Sequence, residues 1–263
     1  MLALAGKVAI VTGAGRGLGA GIALGLGSRG ATLALVGRTR ESLLEVAETI
    51  RTKHAVAASV HTGDVGVEGD VERVIEEIVS QHGKLDILVN NAGIVDQAAF
   101  LDIQPSGWIS VISTNLSGAF FMTQRAARRM RQSGGGSIIN IASIDAYGAD
   151  GPQASYTAAK AGLVGLTKAA ATELAAFGIR VNSVSPGWTR TKMVEEFVSP
   201  SALNHMLEAF SRVPMRRMVE IPEVAAAVTF LASSEASGIT GIDIPVDCGT
   251  LANLFVYETL PTE

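Results

Sequence analysis

The chain has 263 residues, 48% of them hydrophobic, which is enough to bury a large core. Its formal net charge of −4 argues against a general nucleic-acid surface. Cys248 is the only cysteine, so an intrachain disulfide is impossible and a reducing, cytoplasmic location is expected.

Membrane and metal sites are not expected either. The N-terminus has no basic segment before its apolar part, which argues against a signal peptide. No uncharged run reaches the roughly 18 apolar residues that a membrane span needs. The four histidines show no metal-ligand spacing, so no metal is expected.

The first predicted element is a buried strand, Lys7–Thr12, followed by a glycine-rich turn, Gly13–Ala20, and a helix that ends near Gly30. A strand, glycine turn and helix in this order direct backbone N–H groups at an anion such as a pyrophosphate. The usual pattern G-x-G-x-x-G is not met, because Leu18 occupies its last position. The glycines present are Gly13, Gly17 and Gly19, spaced G-x-x-x-G-x-G.

The second strand, Ala31–Gly37, is followed by Arg38, where NAD-binding chains normally carry an acidic residue. A guanidinium binds a 2′-phosphate bidentately, and Arg16 in the glycine turn adds a second one. We therefore predict NADP(H), with NAD(H) as the alternative. In the other interpretation, Arg38 and Arg40 only begin the polar face of the next helix.

The next two strands end in candidate ligand-binding residues. A helix near Arg40–Lys53 leads to a strand ending at Gly63–Val65, where Asp64 is predicted to accept the adenine amino group or to cap the following helix. Leu85–Val89 is the following strand. It closes with Asn90–Gly93 at the edge where parallel sheets bind ligands.

A long helix is predicted over about Ser106–Arg131, with Asn115 in its middle. Asparagine is a poor residue in a helix interior, so its side chain is expected to have a specific partner. We expect that Asn115 either bonds a backbone group or holds a water near the site.

The next strand, Ser137–Ala142, delivers Ser143, and the helix Ser155–Phe177 carries Tyr156 and Lys160. Residues four apart share a helix face. An ammonium about 4 Å from a phenol, at an effective dielectric of about 20, is worth roughly 4 kcal/mol, or about three pKa units. We therefore expect Lys160 to lower the pKa of Tyr156, so that the phenol exchanges protons near neutral pH.

The last part of the chain begins with a strand, Ile179–Ser185, that closes in Pro186–Thr191. A helix at Ile221–Ser233 and a strand at Gly241–Val246 complete the pattern. Between them, about 190–214, a lid over a pocket is predicted rather than core. Its scattered apolar residues are Met193, Phe197, Leu203, Met206 and Phe210.

Strands alternate with helices from end to end. The sequence therefore predicts one α/β domain, residues 1–263. Its fold is a Rossmann-type, doubly wound parallel sheet of about seven strands with helices on both faces.

Taken together, the motifs resemble the classical short-chain dehydrogenase/reductase family over essentially the whole chain. The matching pieces are T-G-A-G-R-G-L-G (12–19), G-D-V (63–65), N-N-A-G (90–93), N-L-S-G-A-F beginning at Asn115, Ser143, Y-T-A-A-K (156–160) and P-G-W-T-R-T (186–191). One departure is V-D-C-G, with Cys248, where the family often has V-D-G-G.

The resemblance implies a role for each matching residue. Tyr156 would be the general acid/base, Lys160 would lower its pKa and hold the nicotinamide ribose, Ser143 would position the substrate oxygen, and Asn115 would hold a relay water. The implied cofactor-binding residues are Gly13, Arg16, Gly17, Leu18, Gly19, Arg38, Asp64, Val65, Asn91, Ala92, Gly93, Tyr156, Lys160, Pro186, Gly187, Thr189 and Thr191.

The substrate is less well defined. The predicted contact residues are Ser143, Asp145, Gln153, Tyr156 and Trp188, with Ile144 and Tyr147 also flanking the catalytic residues. Asp145 and Gln153 suit hydroxyl groups, which favours a polyol or hydroxy-ketone. The alternative is that Asp145 faces solvent.

The leading functional hypothesis is an NADP(H)-dependent carbonyl reductase or alcohol dehydrogenase acting on a small molecule. The alternative is reduction of a 3-oxoacyl group on a carrier protein. Arg128, Arg129 and Arg131 suit that docking, whereas Phe177 stands where such reductases often have a basic residue.

Two other functions are disfavoured. A non-catalytic cofactor-binding protein is disfavoured because the catalytic residues are all present. An enoyl reductase is disfavoured because related enoyl reductases space Tyr and Lys further apart. The resemblance also implies a homotetramer.

Overall fold

The computed structural model describes residues 2–191, 194–195 and 198–253. One parallel sheet of seven strands lies at its centre, in the order β3-β2-β1-β4-β5-β6-β7. The strands are β1 Val8–Thr12, β2 Thr32–Gly37, β3 Ala58–Thr62, β4 Ile87–Asn90, β5 Gly136–Ile141, β6 Ile179–Pro186 and β7 Asp243–Val246. The predicted fold is confirmed.

Helices connect the strands and cover both faces of the sheet. Their bounds are α1 Gly17–Ser28, α2 Arg40–His54, α3 Glu68–His82, α4 Pro105–Ile112, α5 Gly118–Gln132, α6 Ala154–Leu174, α7 Pro200–Glu208 and α8 Ile221–Ala232. Helices α1, α2 and α8 share one hydrophobic cluster with the sheet, and α3, α5 and α6 contribute to the second. The central strands β1 and β4 are apolar up to their last residues, Thr12 and Asn90, because both strands are buried on both sides.

The strand order reverses between β1 and β4. The chain moves outward from β1 to β3, then returns to β4 on the other side of β1. The loops after these two strands therefore diverge and leave a crevice at the carboxyl edge of the sheet. The loops that follow β5 and β6 lie at the same edge because all strands are parallel.

Close backbone packing explains two of the glycines that open the crevice. Gly13 has φ +64°, in the left-handed region, and its carbonyl oxygen lies against Gly19 in the first turn of α1. A Cβ on Gly19 would overlap that oxygen and the Asn91 side-chain nitrogen. The turn therefore requires glycine at both positions.

The long helix predicted over Ser106–Arg131 is interrupted. Residues Ser113–Ser117 form one π-helical turn between α4 and α5. A π turn accommodates one more residue than an α turn, and such turns occur often at functional sites. Asn115 lies at its centre, where it is 1% exposed.

The segment predicted as a lid contributes in part to the core. Met206 on α7 is buried, and Phe210 packs against the larger hydrophobic cluster. The expectation that these two side chains lie outside the core is therefore wrong. Met193 and Phe197 lie outside the described residues.

Among the residues that the structure describes, no helix has the length and apolar character needed to cross a membrane.

We predict that Gly19→Ala destabilises the protein by about 1–3 kcal/mol, because the added methyl group meets backbone atoms that cannot move independently. Denaturant unfolding measures this change. The control is Gly165→Ala on the exposed side of α6, where no atom lies within 4 Å of the added carbon. This control should leave stability unchanged or raise it by up to about 1 kcal/mol. Equal stability of the two variants would contradict the proposed packing.

Candidate active site

A cleft of about 960 Å³ lies at the carboxyl edge of the sheet. It runs from the glycine turn after β1, past the ends of β4 and β5, to the loop after β6. Every predicted site residue except Asn115 lines it: Gly13, Arg16, Gly17, Leu18, Gly19, Arg38, Asp64, Val65, Asn91, Ala92, Gly93, Ser143, Asp145, Gln153, Tyr156, Lys160, Pro186, Gly187, Trp188, Thr189 and Thr191.

The start of α1 is suited to binding an anion. Arg16 is its N-cap but makes no side-chain capping bond, so the first backbone N–H groups of the helix have no cap. Gly17 has φ +55°, and no atom lies within 4 Å of where its Cβ would be. This open space beside a helix N-terminus fits the pyrophosphate of a dinucleotide.

The second strand ends in groups that suit a phosphorylated ribose. The Arg38 guanidinium is exposed and lies 3.8 Å from an Asp64 carboxylate oxygen. The hydroxyl-bearing Thr39 and Ser42 line the same end of the cleft. Asp64 accepts a hydrogen bond of 2.8 Å from the Gly66 backbone N–H. It therefore caps the turn before α3 rather than the helix itself, whose N-cap is Val67.

Asn91 connects the ends of β1 and β4. Its side-chain nitrogen donates to the Thr12 carbonyl oxygen at 2.9 Å and to the Gly13 carbonyl oxygen at 3.3 Å. The Thr12 hydroxyl in turn accepts from the backbone N–H groups of Asn91 and Ala92, both at 3.0 Å. These bonds fix the cleft floor where the sheet order reverses.

Lys160 is 4% exposed, which is unusual for a lysine. Its Nζ donates to the Ile141 carbonyl oxygen at 2.7 Å and lies 5.4 Å from the centroid of the Tyr156 ring. Burial lowers the pKa of Lys160 to about 8, although the Asp145 carboxylate opposes that change. The ammonium is thus held at the end of β5 by one strong hydrogen bond.

The pKa of Tyr156 is raised, contrary to the sequence-based expectation that Lys160 lowers it. Burial of the phenol is the main cause, and the negative charges of Asp145 and Asp150 raise the pKa further. A hydrogen bond with Ser143 acts in the opposite direction. Tyr156 consequently keeps its proton at neutral pH, which suits a proton donor.

Ser143 and Asp145 form a local pair. The Ser143 hydroxyl donates to an Asp145 carboxylate oxygen at 3.0 Å and accepts from the Asp145 backbone N–H at 3.1 Å. Asp145 is 7% exposed, so the alternative in which it faces solvent is wrong. Burial, followed by the nearby charge of Asp150, raises its pKa to about 7.

Asn115 lies behind the cleft rather than on its surface. Its oxygen accepts from the Ile94 N–H at 2.8 Å, and its nitrogen donates to the Ile94 carbonyl oxygen at 2.9 Å. The expected bond to the backbone is confirmed, whereas the relay water stays a prediction. A Cβ on Gly93 would lie within 4 Å of both the Asn115 side chain and Lys160 Nζ. Asn115 thus shapes the wall next to the lysine.

Sequence reasoning missed several residues of the cleft. The most relevant are Thr39, Ser42, Ile94, Thr114 and Asp150. The sequence contained signals for some of them: hydroxyl residues follow Arg38, and a second aspartate lies in the loop after Ser143. Tyr147 points elsewhere, since its hydroxyl donates to an Asp243 carboxylate oxygen at 2.8 Å.

The chain is similar to proteins of known class over most of its length. A family model described as "Enoyl-(Acyl carrier protein) reductase" matches residues 13–250. A 3-oxoacyl-[acyl-carrier-protein] reductase of Staphylococcus epidermidis is 40% identical over 248 residues, which cover 92% of this chain and 98% of the relative.

Two solved structures are also similar. A putative short-chain alcohol dehydrogenase from Sinorhizobium meliloti is 39% identical, with a TM-score of 0.91 and coverage of 96% of this chain and 99% of that one. A gluconate 5-dehydrogenase from Burkholderia cenocepacia, in complex with NADP and tartrate, is 33% identical with a TM-score of 0.90 and coverage of 96% and 98%.

The sheet order, the glycine turn and the Ser143, Tyr156 and Lys160 cluster thus occur in a chain that matches these proteins over nearly its full length. The chain belongs to the short-chain dehydrogenase/reductase family and is an oxidoreductase acting on CH–OH and C=O groups.

Proposed function

We propose that the chain is an NADP(H)-dependent ketoreductase that reduces a 3-oxoacyl thioester to the 3-hydroxyacyl product. The main observation that supports this proposal is that Ser143, Tyr156 and Lys160 line the same cleft as the start of α1, which is suited to binding an anion. The 40% identical relative, which is named as a 3-oxoacyl reductase, supports this substrate class. It favours the carrier-protein alternative over the small-molecule reading that the sequence put first.

In this proposal Tyr156 is the general acid. A reduced nicotinamide held in the cleft would supply the hydride that the carbonyl carbon needs. The phenol of Tyr156 transfers its proton to the carbonyl oxygen, which becomes the hydroxyl of the product. A raised pKa suits this direction because the phenol stays protonated until negative charge develops on the substrate oxygen.

The other residues orient the reacting groups. Ser143 donates a hydrogen bond to the same oxygen, and Lys160 holds the nicotinamide ribose beside Tyr156. Asn115 fixes the Ile94 backbone next to Lys160 and holds the relay water. Catalysis is then chiefly orientation together with a matched proton donor.

The remaining cofactor contacts follow the cleft. Gly13, Gly17, Gly19 and the start of α1 receive the pyrophosphate, and Thr189 and Thr191 face the nicotinamide end. The exposed Arg38 guanidinium is available to a 2′-phosphate, which would compete with Asp64 for it. The neighbouring structure solved with NADP supports this choice of cofactor.

A second candidate substrate is a small hydroxylated ketone. The polar side chains of Asp145 and Gln153 line the cleft beside Ser143, where they suit substrate hydroxyls. The solved gluconate 5-dehydrogenase is named for a polyhydroxylated compound. The surface that was predicted to dock a carrier protein also differs from the expectation. The Arg131 guanidinium stacks on the Phe177 ring, 4.4 Å from its centroid. Enoyl reduction stays disfavoured because Tyr156 and Lys160 are only four residues apart.

We further propose that residues 1–263 form one domain, that 190–214 act as the substrate lid, and that the protein is a cytoplasmic homotetramer. Val194 and Thr191, which line the cleft, support the lid.

We predict that the purified protein oxidises NADPH with a 3-oxoacyl group on acyl carrier protein at a higher kcat/KM than with the same acyl group on coenzyme A. Absorbance at 340 nm measures both. Arg131→Ala should lower kcat/KM several-fold for the carrier substrate only, because Arg131 belongs to the predicted docking surface and does not line the cleft. Tyr156→Phe should abolish turnover with every substrate while NADPH affinity is kept. A higher kcat/KM for hydroxylated ketones would favour the second candidate. Residual turnover in Tyr156→Phe would refute the acid role.

We predict that Arg38→Ala lowers kcat/KM for NADPH about 10–100-fold and leaves that for NADH nearly unchanged, because a hydrogen bond to a charged group is worth about 1.5–3 kcal/mol. Parallel assays with the two cofactors provide the measurement. Arg40→Ala is the matched control, since Arg40 lies two residues further along, at the start of α2, and does not line the cleft. Equal losses for both cofactors in Arg38→Ala would argue against binding of the 2′-phosphate.

A further inference from the structure

The hydrogen-bonding capacity of the Ser143 hydroxyl is almost used up within its own loop. A hydroxyl has one hydrogen to donate and two lone pairs that accept. Ser143 gives its hydrogen to the Asp145 carboxylate at 3.0 Å and accepts the Asp145 backbone N–H with one lone pair. One lone pair is left beside the Tyr156 phenol, with which Ser143 also makes a hydrogen bond. In this arrangement Ser143 can only accept a further hydrogen bond.

A substrate carbonyl needs the opposite. Its oxygen accepts hydrogen bonds, and it accepts more strongly as negative charge develops during reduction. A Ser143 hydroxyl whose hydrogen points at Asp145 would present a lone pair to that oxygen and would repel it. The hydrogen must therefore turn away from Asp145 before Ser143 can assist the reaction.

Proton uptake by Asp145 makes this turn possible. A neutral carboxyl group carries its own hydrogen and can donate it to the Ser143 oxygen. Ser143 then accepts twice from Asp145, through the carboxyl and the backbone N–H, and its own hydrogen is free for the substrate. The result is a chain of donors that runs from Asp145 through Ser143 to the carbonyl oxygen.

The surroundings of Asp145 favour the neutral form. The side chain is buried, and the exposed Asp150 carboxylate, which accepts from the Gln153 amide at 2.8 Å, acts on it as a like charge and hydrogen-bond partner. The other titratable groups that act on this site are Lys160, whose charge favours the ionised form of Asp145, and Tyr156. With these effects combined, the pKa of Asp145 is about 7, so its protonation changes across the neutral range.

We propose that Asp145 is a positioning residue that sets the direction of the Ser143 hydroxyl: ionised Asp145 holds the hydrogen, and protonated Asp145 releases it to the substrate carbonyl. The inference rests on the proposed ketoreductase function. It makes the reduction depend on the protonation of a residue that does not itself exchange a proton with the substrate.

Single-turnover oxidation of NADPH by a 3-oxo substrate, measured from about pH 5.5 to 9, tests the proposal. In the wild type, the fall due to Asp145 alone should be about tenfold between about pH 6 and 8, as expected for one group with a pKa near 7. Asp145→Asn should retain activity and lose this fall, because its amide donates to Ser143 at every pH. Only the fall near pH 8 from Lys160 should remain. Asp145→Ala should also lose the fall, and it should be slower than wild type below pH 7, where protonated Asp145 orients Ser143.

Two further variants separate this role from a structural one. Asp150→Asn removes the like charge and should shift the wild-type midpoint to lower pH. Asp102→Asn, on an exposed turn before α4, should reproduce the wild-type profile. Identical pH profiles for wild type and Asp145→Asn would overturn the proposal while leaving the ketoreductase function intact, because Tyr156→Phe tests that function separately.

A readout without turnover completes the test. Infrared difference spectra of the protein should show a protonated carboxyl band that titrates near pH 7 and is absent from Asp145→Asn. A wild-type protein without such a band would refute the inference whether or not any ketone is reduced.

Discussion

The hydrogen bond from Lys160 to the Ile141 carbonyl oxygen is the contact on which the site depends. An isolated ammonium is costly to bury, and this one is kept inside the protein by a bond of 2.7 Å to the last residue of β5. The bond fixes the start of α6 against the strand that delivers Ser143. Tyr156, one turn earlier on α6, is thereby placed beside Ser143.

The main elements of the fold could be predicted from the sequence because the signals are local. The apolar runs that form the first two strands stop shortly before Gly13 and Arg38. The observed strands begin or end within a few residues of their predicted bounds. The residues that line the cleft could also be predicted from the sequence, because parallel strands bring the residues that follow them to one edge of the sheet. Only Asn115, among the predicted site residues, lies off the cleft surface.

The properties that the sequence could not reveal depend on groups brought together from distant parts of the chain. The expected decrease in the pKa of Tyr156 rested on the distance to Lys160 alone. The structure adds burial and the charges of Asp145 and Asp150, which together reverse the direction. The pairing of Asn115 with Ile94 joins residues 21 positions apart, and helical periodicity contains no information about it. Solvation and long-range contacts, rather than spacing, decide these properties.

The π turn at Ser113–Ser117 has a consequence for how this site can change over evolution. A point substitution at Asn115 would remove the side chain but keep the extra residue, and the Ile94 N–H and carbonyl groups would lose the partners they have now. Deleting one residue would restore a regular helix, yet it would also rotate all of α4 by about 100° relative to α5. Neither single step returns to an ordinary helix without disturbing other contacts. The wall of the cleft is therefore protected by chain length as much as by residue identity.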